Sequence, residues 1–214
     1  IVYQNDEANF SSGADLQSVS SMIAKGRFDE LEQMISNFQT LMMRIKYNSL
    51  PIVAALRGRA LGGGCELLMH CAGISSCFES YPGLVELGVG LLPAGGGIKE
   101  MALRAFERNP HNLMGTIEQQ FKIIATAQVS MSALDAKDKL FLNGSDSVVM
   151  HKNEVLYTAA ATIKHLRAIN YLPPMPKHFK VAGQTGQAML QVGLVNWLKG
   201  GFITQHDYDL ALKV

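Results

Sequence analysis

The chain has few cysteines, and their placement removes several protein classes from consideration. Only three occur in 214 residues, at Cys65, Cys71 and Cys77, and they neither pair completely nor show a C-x-x-C spacing. A disulfide framework and a zinc-finger pattern are therefore not indicated, and a reducing cytoplasm is the expected location. The histidines form no H-E-x-x-H or compact ligand set, so no metal site is predicted. His70 and Cys71 are expected to pack on the helix that follows Glu66.

The chain also lacks an excess of either charge and a long apolar run. Lys and Arg total 19 against 18 Asp and Glu, for a formal net charge of +1. Surfaces that bind nucleic acid or anionic membranes carry a basic excess, so we expect neither partner. The longest apolar stretch, residues 88–98, is shorter than the ~20 residues of a membrane-spanning helix and is interrupted by Pro93.

What the chain does contain is an alternation of strand-like and helical segments. Apolar residues recur with helical spacing over residues 28–45. A short strand at 52–56, a glycine loop at 58–64, an apolar helix at 65–71 and another strand at 73–77 follow. This order indicates an α/β fold. Further helices are predicted over 98–106, 116–127, 132–139, 153–169, 187–198 and 205–213, with Ser132 as an N-cap.

The glycine loop before the helix at 65–71 is the first candidate for chemistry. Unpaired N–H groups at a helix start, aided by the helix dipole, can hold an oxyanion, and glycine lets a ligand approach the backbone. Taken alone, Gly62–Gly64 is better explained as a tight packing turn. Likewise, Glu66 alone would be a solvated helix-start carboxylate and Glu86 an exposed loop residue.

Three segments in order change that interpretation, because together they resemble the signature segments of the crotonase superfamily. They are FSSGADL at 10–16, AALRGRALGGGCEL at 54–67 and ELGVGLLPAGGG at 86–97. The resemblance covers roughly residues 1–170 and implies a crotonase-type α/β spiral of ββα repeats followed by helices. By the same resemblance, the family's N-terminal unit, which helps bind the adenine end of coenzyme A, is missing here. The predicted division is a core at 1–170 and a helical extension at 171–214.

The resemblance also implies roles for individual residues. Glu66 and Glu86 match the two catalytic glutamates of the family's hydratases, with Glu66 acting mainly on water and Glu86 on the C2 proton. The backbone N–H groups of Ala14 and Gly63 would form the oxyanion hole. The positions expected to contact substrate are Ser12, Gly13, Asp15, Gly62, Gly64 and Pro93. Two carboxyl groups near one water should raise at least one pKa.

The implied reaction is hydration of trans-2-enoyl-CoA to 3-hydroxyacyl-CoA in fatty-acid β-oxidation. Acyl-CoA would be the substrate, hydration would need no cofactor, and the family's helices typically form trimers. The chain further resembles the hydratase region of a fused protein whose separate, NAD-dependent 3-hydroxyacyl-CoA dehydrogenase domain would lie on the N-terminal side. Two alternatives remain: an enoyl-CoA isomerase, which can work with one glutamate, and a non-catalytic scaffolding fragment.

Overall fold

The protein is described by a computed structural model that covers residues 1–5 and 7–214. Its described strands form one parallel sheet in the order β1, β2, β3, β4. The strands are β1 Val2–Tyr3, β2 Val53–Leu61, β3 Gly73–Gly83 and β4 Ser147–Val149. Parallel neighbours need crossover connections, and the helices between the strands provide them.

Helices lie between and after these strands and account for about half of the chain. Two 3₁₀ turns, Glu86–Val89 and Pro110–Asn112, flank the fourth helix. The α-helices are α1 Leu16–Ala24, α2 Phe28–Lys46, α3 Gly63–His70, α4 Gly97–Arg108, α5 Leu113–Ala125, α6 Ala133–Asp138, α7 Glu154–Ala168, α8 Gly183–Lys199 and α9 Gln205–Ala211. Among the described residues, none of them is long and apolar enough to cross a membrane.

Successive residues of β2 face opposite sides of the sheet and enter two different cores. Ala54 and Leu56 belong to the main apolar cluster, which also contains Leu68 of α3. Val53 and Ala55 belong to a smaller cluster with α7. Because side chains alternate along a strand, a sheet covered on both faces gives the continuous apolar run seen in this segment.

The two central strands are longer than the sequence predicts. The loop expected at 58–64 is still strand as far as Leu61, and β3 continues through residues 78–83, where turn signals were expected. Pairing of β2 with β3 overrides the local turn preference of Gly58 and Pro82. Gly58 lies at a register irregularity with φ +63°, and a Cβ there would be 2.3 Å from the carbonyl oxygen of Ala8.

Other predicted elements match closely, and two were missed. Helix α2 coincides with the predicted 28–45 helix, and the Ser132 hydroxyl caps α6 by accepting from the Asp135 N–H. The sequence pattern gave no prediction of α1 or β4. Strand β4 has three residues and is fixed by pairing with β3, so it carries little periodicity of its own.

The C-terminal helices pack on the main core. Leu194 of α8 and Ala211 of α9 are buried in the same cluster as Leu68 and Leu84. The Thr204 and Asp207 side chains form a reciprocal capping box that starts α9. Both helices therefore share apolar contacts with the elements that carry the candidate site.

Candidate active site

The glycine corner lies where β2 passes into α3. Gly62 adopts φ +55°, and its N–H donates to the carbonyl of Gly83 at the end of β3. Ser11 forms a parallel bridge with Ala60, which brings the 11–14 loop against this corner. The approach is close, because a Cβ on Gly64 would be 2.3 Å from the Cβ of Ser11. Only glycine at that position permits the loop and the helix start to meet.

The two amides predicted to form an oxyanion hole belong to the two segments that meet here, Ala14 to the 11–14 loop and Gly63 to the start of α3. Gly63 is the first residue of α3, where an amide hydrogen has no acceptor within the helix. The Ala14 N–H donates to no other group in the described part of the chain. Gly13, with φ +93°, packs against Leu61, and a Cβ there would be 3.3 Å from the Leu61 carbonyl oxygen. Neither N–H group has an acceptor in the described part of the chain, and their role as an oxyanion hole stays a prediction.

Glu66 is buried in the first turns of α3. It is therefore not the solvated helix-start carboxylate that the residue taken alone would suggest. Its Oε1 accepts from the N–H groups of Gly95 and Gly97, each at 2.8 Å, and its Oε2 accepts from Gly95 at 2.9 Å. Gly97 begins α4, so the carboxylate caps a helix N-terminus. Burial raises the pKa of Glu66, and the donated N–H bonds oppose that rise.

Glu86 begins the 3₁₀ turn and faces the same corner. A Cβ on Gly62 would be 3.3 Å from Glu86 Oε1 and 3.9 Å from the Cα of Gly13. The other carboxyl oxygen, Oε2, is buried and has no hydrogen-bond partner among the described residues. Burial, and then the charge of Glu66, raise the pKa of Glu86 to about 7. A carboxyl group in this environment is a proton donor and acceptor near neutral pH.

The remaining predicted contact residues divide into two groups. Gly62 and Gly64 are buried at the corner and Pro93 is buried in the loop before Gly95, whereas residues 12–15 are exposed. The Asp15 side chain is already engaged as the N-cap of α1, where it accepts from the Gln17 N–H and the Ser18 hydroxyl. Its predicted contact with substrate stays a prediction.

The sequence did not reveal three contributors to the site. Phe38 of α2 covers it, since a Cβ on Gly63 would be 3.1 Å from the ring and one on Gly95 would be 2.3 Å away. The amides of Gly95 and Gly97 hold Glu66, a role that no side chain signals. His70, expected only to pack, bonds to the Glu66 backbone. Its position four residues after Glu66, on the same helical face, was the available signal.

Comparison with known proteins places this arrangement in a family. The sequence pattern described as "Enoyl-CoA hydratase/isomerase" matches residues 1–171. The chain belongs to this family. A solved structure of a putative enoyl-CoA hydratase from Thermobifida fusca YX, in complex with acetoacetyl-CoA, superposes with a TM-score of 0.63 at 18% identity, covering 99% of this chain and 74% of that one. The crotonase fold expected from the sequence is confirmed by this likeness.

Relatives of this family member include much longer proteins. A "Probable 3-hydroxyacyl-CoA dehydrogenase" of Bacillus subtilis (strain 168) is 37% identical over 214 residues, which are 100% of this chain and 27% of that protein. A "Putative fatty acid oxidation complex trifunctional enzyme" of Rickettsia felis is 46% identical over 97 residues, which are 45% of this chain and 14% of that protein. The chain therefore spans 27% of the length of the Bacillus subtilis relative, and its matched segment spans 14% of the Rickettsia felis relative.

Proposed function

We propose that this chain hydrates trans-2-enoyl-CoA to 3-hydroxyacyl-CoA in fatty-acid β-oxidation. The observation that supports this most directly is the pair of carboxyl groups at one glycine corner in two different environments. Glu66 accepts N–H bonds that favour the carboxylate, whereas Glu86 has an unpartnered buried oxygen and a pKa raised to about 7. One group is suited to act as base and the other as acid.

The proposed reaction uses these groups in one addition. The amides of Ala14 and Gly63 bind the thioester carbonyl oxygen and stabilise the enolate-like charge that develops there. A water attacks C3 as it gives a proton to Glu66, and Glu86 gives a proton to C2. The thioester gains one water. Glu66 is then protonated and Glu86 is ionised, so a proton returns from Glu66 to Glu86 before the next turnover. No cofactor is needed for these steps.

The presence of both glutamates favours hydration over double-bond isomerisation. An isomerase moves one proton between two carbons of the acyl chain, so a single carboxyl group can serve both steps. Addition of water requires a base at C3 and an acid at C2 together. We therefore assign the hydratase reaction to this family member and keep isomerisation as the alternative.

The proposed setting is a larger protein that also oxidises the 3-hydroxyacyl-CoA product. The length and the name of the Bacillus subtilis relative support this, since that protein is several times longer and is called a probable 3-hydroxyacyl-CoA dehydrogenase. The NAD site would lie in a separate domain. Assembly into a trimer and a cytoplasmic location are further parts of the proposal that rest on the family resemblance.

The test is crotonyl-CoA hydration, followed by loss of the enoyl-thioester absorbance, in this chain and in the full-length protein. We expect Glu66→Gln and Glu86→Gln each to lower kcat by at least ~10²-fold, the usual contribution of a positioned acid or base. Glu79→Gln is the matched control, because Glu79 is an exposed carboxylate on β3, and it should leave the rate unchanged.

A second substrate separates the two activities of the full-length protein. With 3-hydroxybutyryl-CoA and NAD, Glu66→Gln should retain oxidation at the wild-type rate, because the dehydrogenase site is elsewhere. Folded wild-type protein without hydratase activity would argue for another acyl-CoA reaction or a scaffolding role. Hydration that survives Glu66→Gln would exclude the proposed base.

A further inference from the structure

A cluster of charged and polar side chains, with His70 and Glu100 buried at its centre, lies at the far end of α3 from the glycine corner. It comprises His70 of α3, Lys99 and Glu100 of α4, and Lys46 of α2. The Glu100 carboxylate is buried and lies 2.6 Å from Lys46 Nζ and 2.8 Å from Lys99 Nζ. The reaction proposed above uses none of these groups, and burying both Glu100 and His70 needs a physical reason.

The hydrogen bonds of His70 fix which ring nitrogen carries the proton. Nδ1 lies 2.7 Å from the carbonyl oxygen of Glu66, and a carbonyl oxygen can only accept, so Nδ1 is the donor. Nε2 lies 3.3 Å from Lys99 Nζ, whose ammonium can only donate, so Nε2 is the acceptor. This is the neutral imidazole. It is consistent with a His70 pKa lowered by burial.

The cluster is connected to the turn that holds the Glu66 carboxylate and to helix α2. A Cβ on Gly96 would be 3.2 Å from His70 Nε2, so the imidazole lies directly beneath the turn that begins α4. The same turn supplies the Gly95 and Gly97 amides. The Lys46–Glu100 ion pair connects α2 to α4, and α2 carries Phe38, whose ring lies close to Gly95.

We infer that His70 is a positioning residue that, with the Lys46–Glu100–Lys99 cluster, holds the first turn of α4 on the Glu66 carboxylate. Glu66 is fixed at two points: its carbonyl by His70 Nδ1–H and its carboxylate by the two glycine amides. The inference rests on the proposed function, because the held carboxylate is the proposed base. A base must stay within hydrogen-bond reach of the water it deprotonates.

Removal of the His70 imidazole should change the pKa of Glu66 in a predictable direction. The charged or titratable groups around Glu66 and His70 are Glu86 on the 3₁₀ turn, Cys65 on α3, Lys99 and Glu100 on α4, and Lys46 on α2. Removing the imidazole leaves those charges in place and weakens the N–H bonds to the carboxylate. Because those bonds favour the charged form, their loss raises the pKa of Glu66.

The experiment compares three variants in the full-length protein. His70→Leu removes both hydrogen bonds, His70→Asn keeps a donor near the position of Nδ1, and Ser76→Ala removes a buried hydroxyl bond on β3 outside the cluster. Crotonyl-CoA kinetics give kcat and KM. Titration of ¹³C-labelled glutamate side chains by NMR gives the pKa of Glu66, whose resonance is assigned by its absence in Glu66→Gln.

We expect His70→Leu to lower kcat by about tenfold to a hundredfold at unchanged KM and to raise the Glu66 pKa. His70→Asn should recover part of both changes, and Ser76→Ala should alter neither. A Glu66 resonance that titrates alike in wild type and His70→Leu would overturn the inference, even in an active hydratase. A protein without hydratase activity would refute the proposed function, while the NMR titration would still decide the role of His70.

Discussion

Glu66 and Glu86 are chemically identical side chains that differ in the groups around them. Burial raises the pKa of both, but at Glu66 two backbone amides donate to the carboxylate and oppose the rise. At Glu86 the charge of Glu66 adds to the effect of burial, and the pKa reaches about 7. The raised pKa of Glu86 thus depends in part on the charge of Glu66.

The raised pKa of Glu86 predicts how stability changes with pH. The folded protein binds this proton more tightly than the unfolded chain, whose glutamate has a pKa of about 4.5. Between pH 4.5 and 7 the folded state therefore holds more protons, and stability falls as the pH rises through this window. The shift corresponds to at most ~3 kcal/mol at pH 8.

The measurement is urea unfolding of wild type and Glu86→Gln at pH 5 and pH 8. At pH 5 the two proteins should have similar free energies of unfolding, because wild-type Glu86 is then protonated in the folded state. At pH 8 we expect Glu86→Gln to be the more stable, by up to ~3 kcal/mol. An identical pH dependence in both proteins would mean that Glu86 titrates normally.

At the scale of the element, the turn that begins α4 is shaped by glycine. A Cβ on Gly95 would lie 2.3 Å from the Phe38 ring and 2.5 Å from Glu66 Oε2. Gly95→Ala must therefore displace the ring, the carboxylate or both. We expect a loss of ~1–3 kcal/mol of stability from overpacking and about a hundredfold lower hydration rate from the misplaced base.

The matched control for this change is Gly193→Ala in the interior of α8. A Cβ at Gly193 meets nothing within 4 Å, and the residue is helical. Alanine should stabilise the helix by ~0.5–1 kcal/mol with no effect on hydration. Thermal unfolding and crotonyl-CoA kinetics on both variants measure the contrast. If the two variants had equal stability and equal hydration rates, a side chain at position 95 would be tolerated and the prediction would be wrong.

The elements that the sequence predicts well are those with their own periodic pattern. Helix α2 was predicted almost to the residue because its apolar positions recur over five turns. The ends of β2 and β3 were not, because pairing between distant segments decides them. The glutamates could be found from the order of three motifs. The groups that donate hydrogen bonds to Glu66 could not be found in this way, because they are the backbone amides of Gly95 and Gly97. Every residue except proline has such an amide, so residue type does not show which one donates.

At the scale of the whole molecule, the C-terminal helices raise the question of domain division. The sequence predicts a core at 1–170 and an extension at 171–214, and the family pattern matches residues 1–171. Yet Leu194 is 2% exposed within the cluster that contains Leu68 of the Glu66 helix. Trp197 and Tyr208 pack against the same cluster. Apolar contact of this kind couples the stability of the two segments.

Removal of residues 172–214 should therefore weaken the core rather than release an independent appendage. We expect the 1–171 chain to lose at least ~2 kcal/mol of unfolding free energy, the burial of one leucine, and to bind a hydrophobic dye. Urea unfolding of both chains measures this loss.

Point variants in the intact chain separate lost contacts from effects of truncation. Leu194→Ala should cost ~2–5 kcal/mol, the usual range for a leucine removed from a packed core. Val192→Ala, on the same helix but 62% exposed, should cost little, because its side chain already contacts water. If 1–171 proved as stable as the whole chain and Leu194→Ala had no effect, residues 171–214 would be an independent unit. The predicted boundary at 170 would then mark a true domain border.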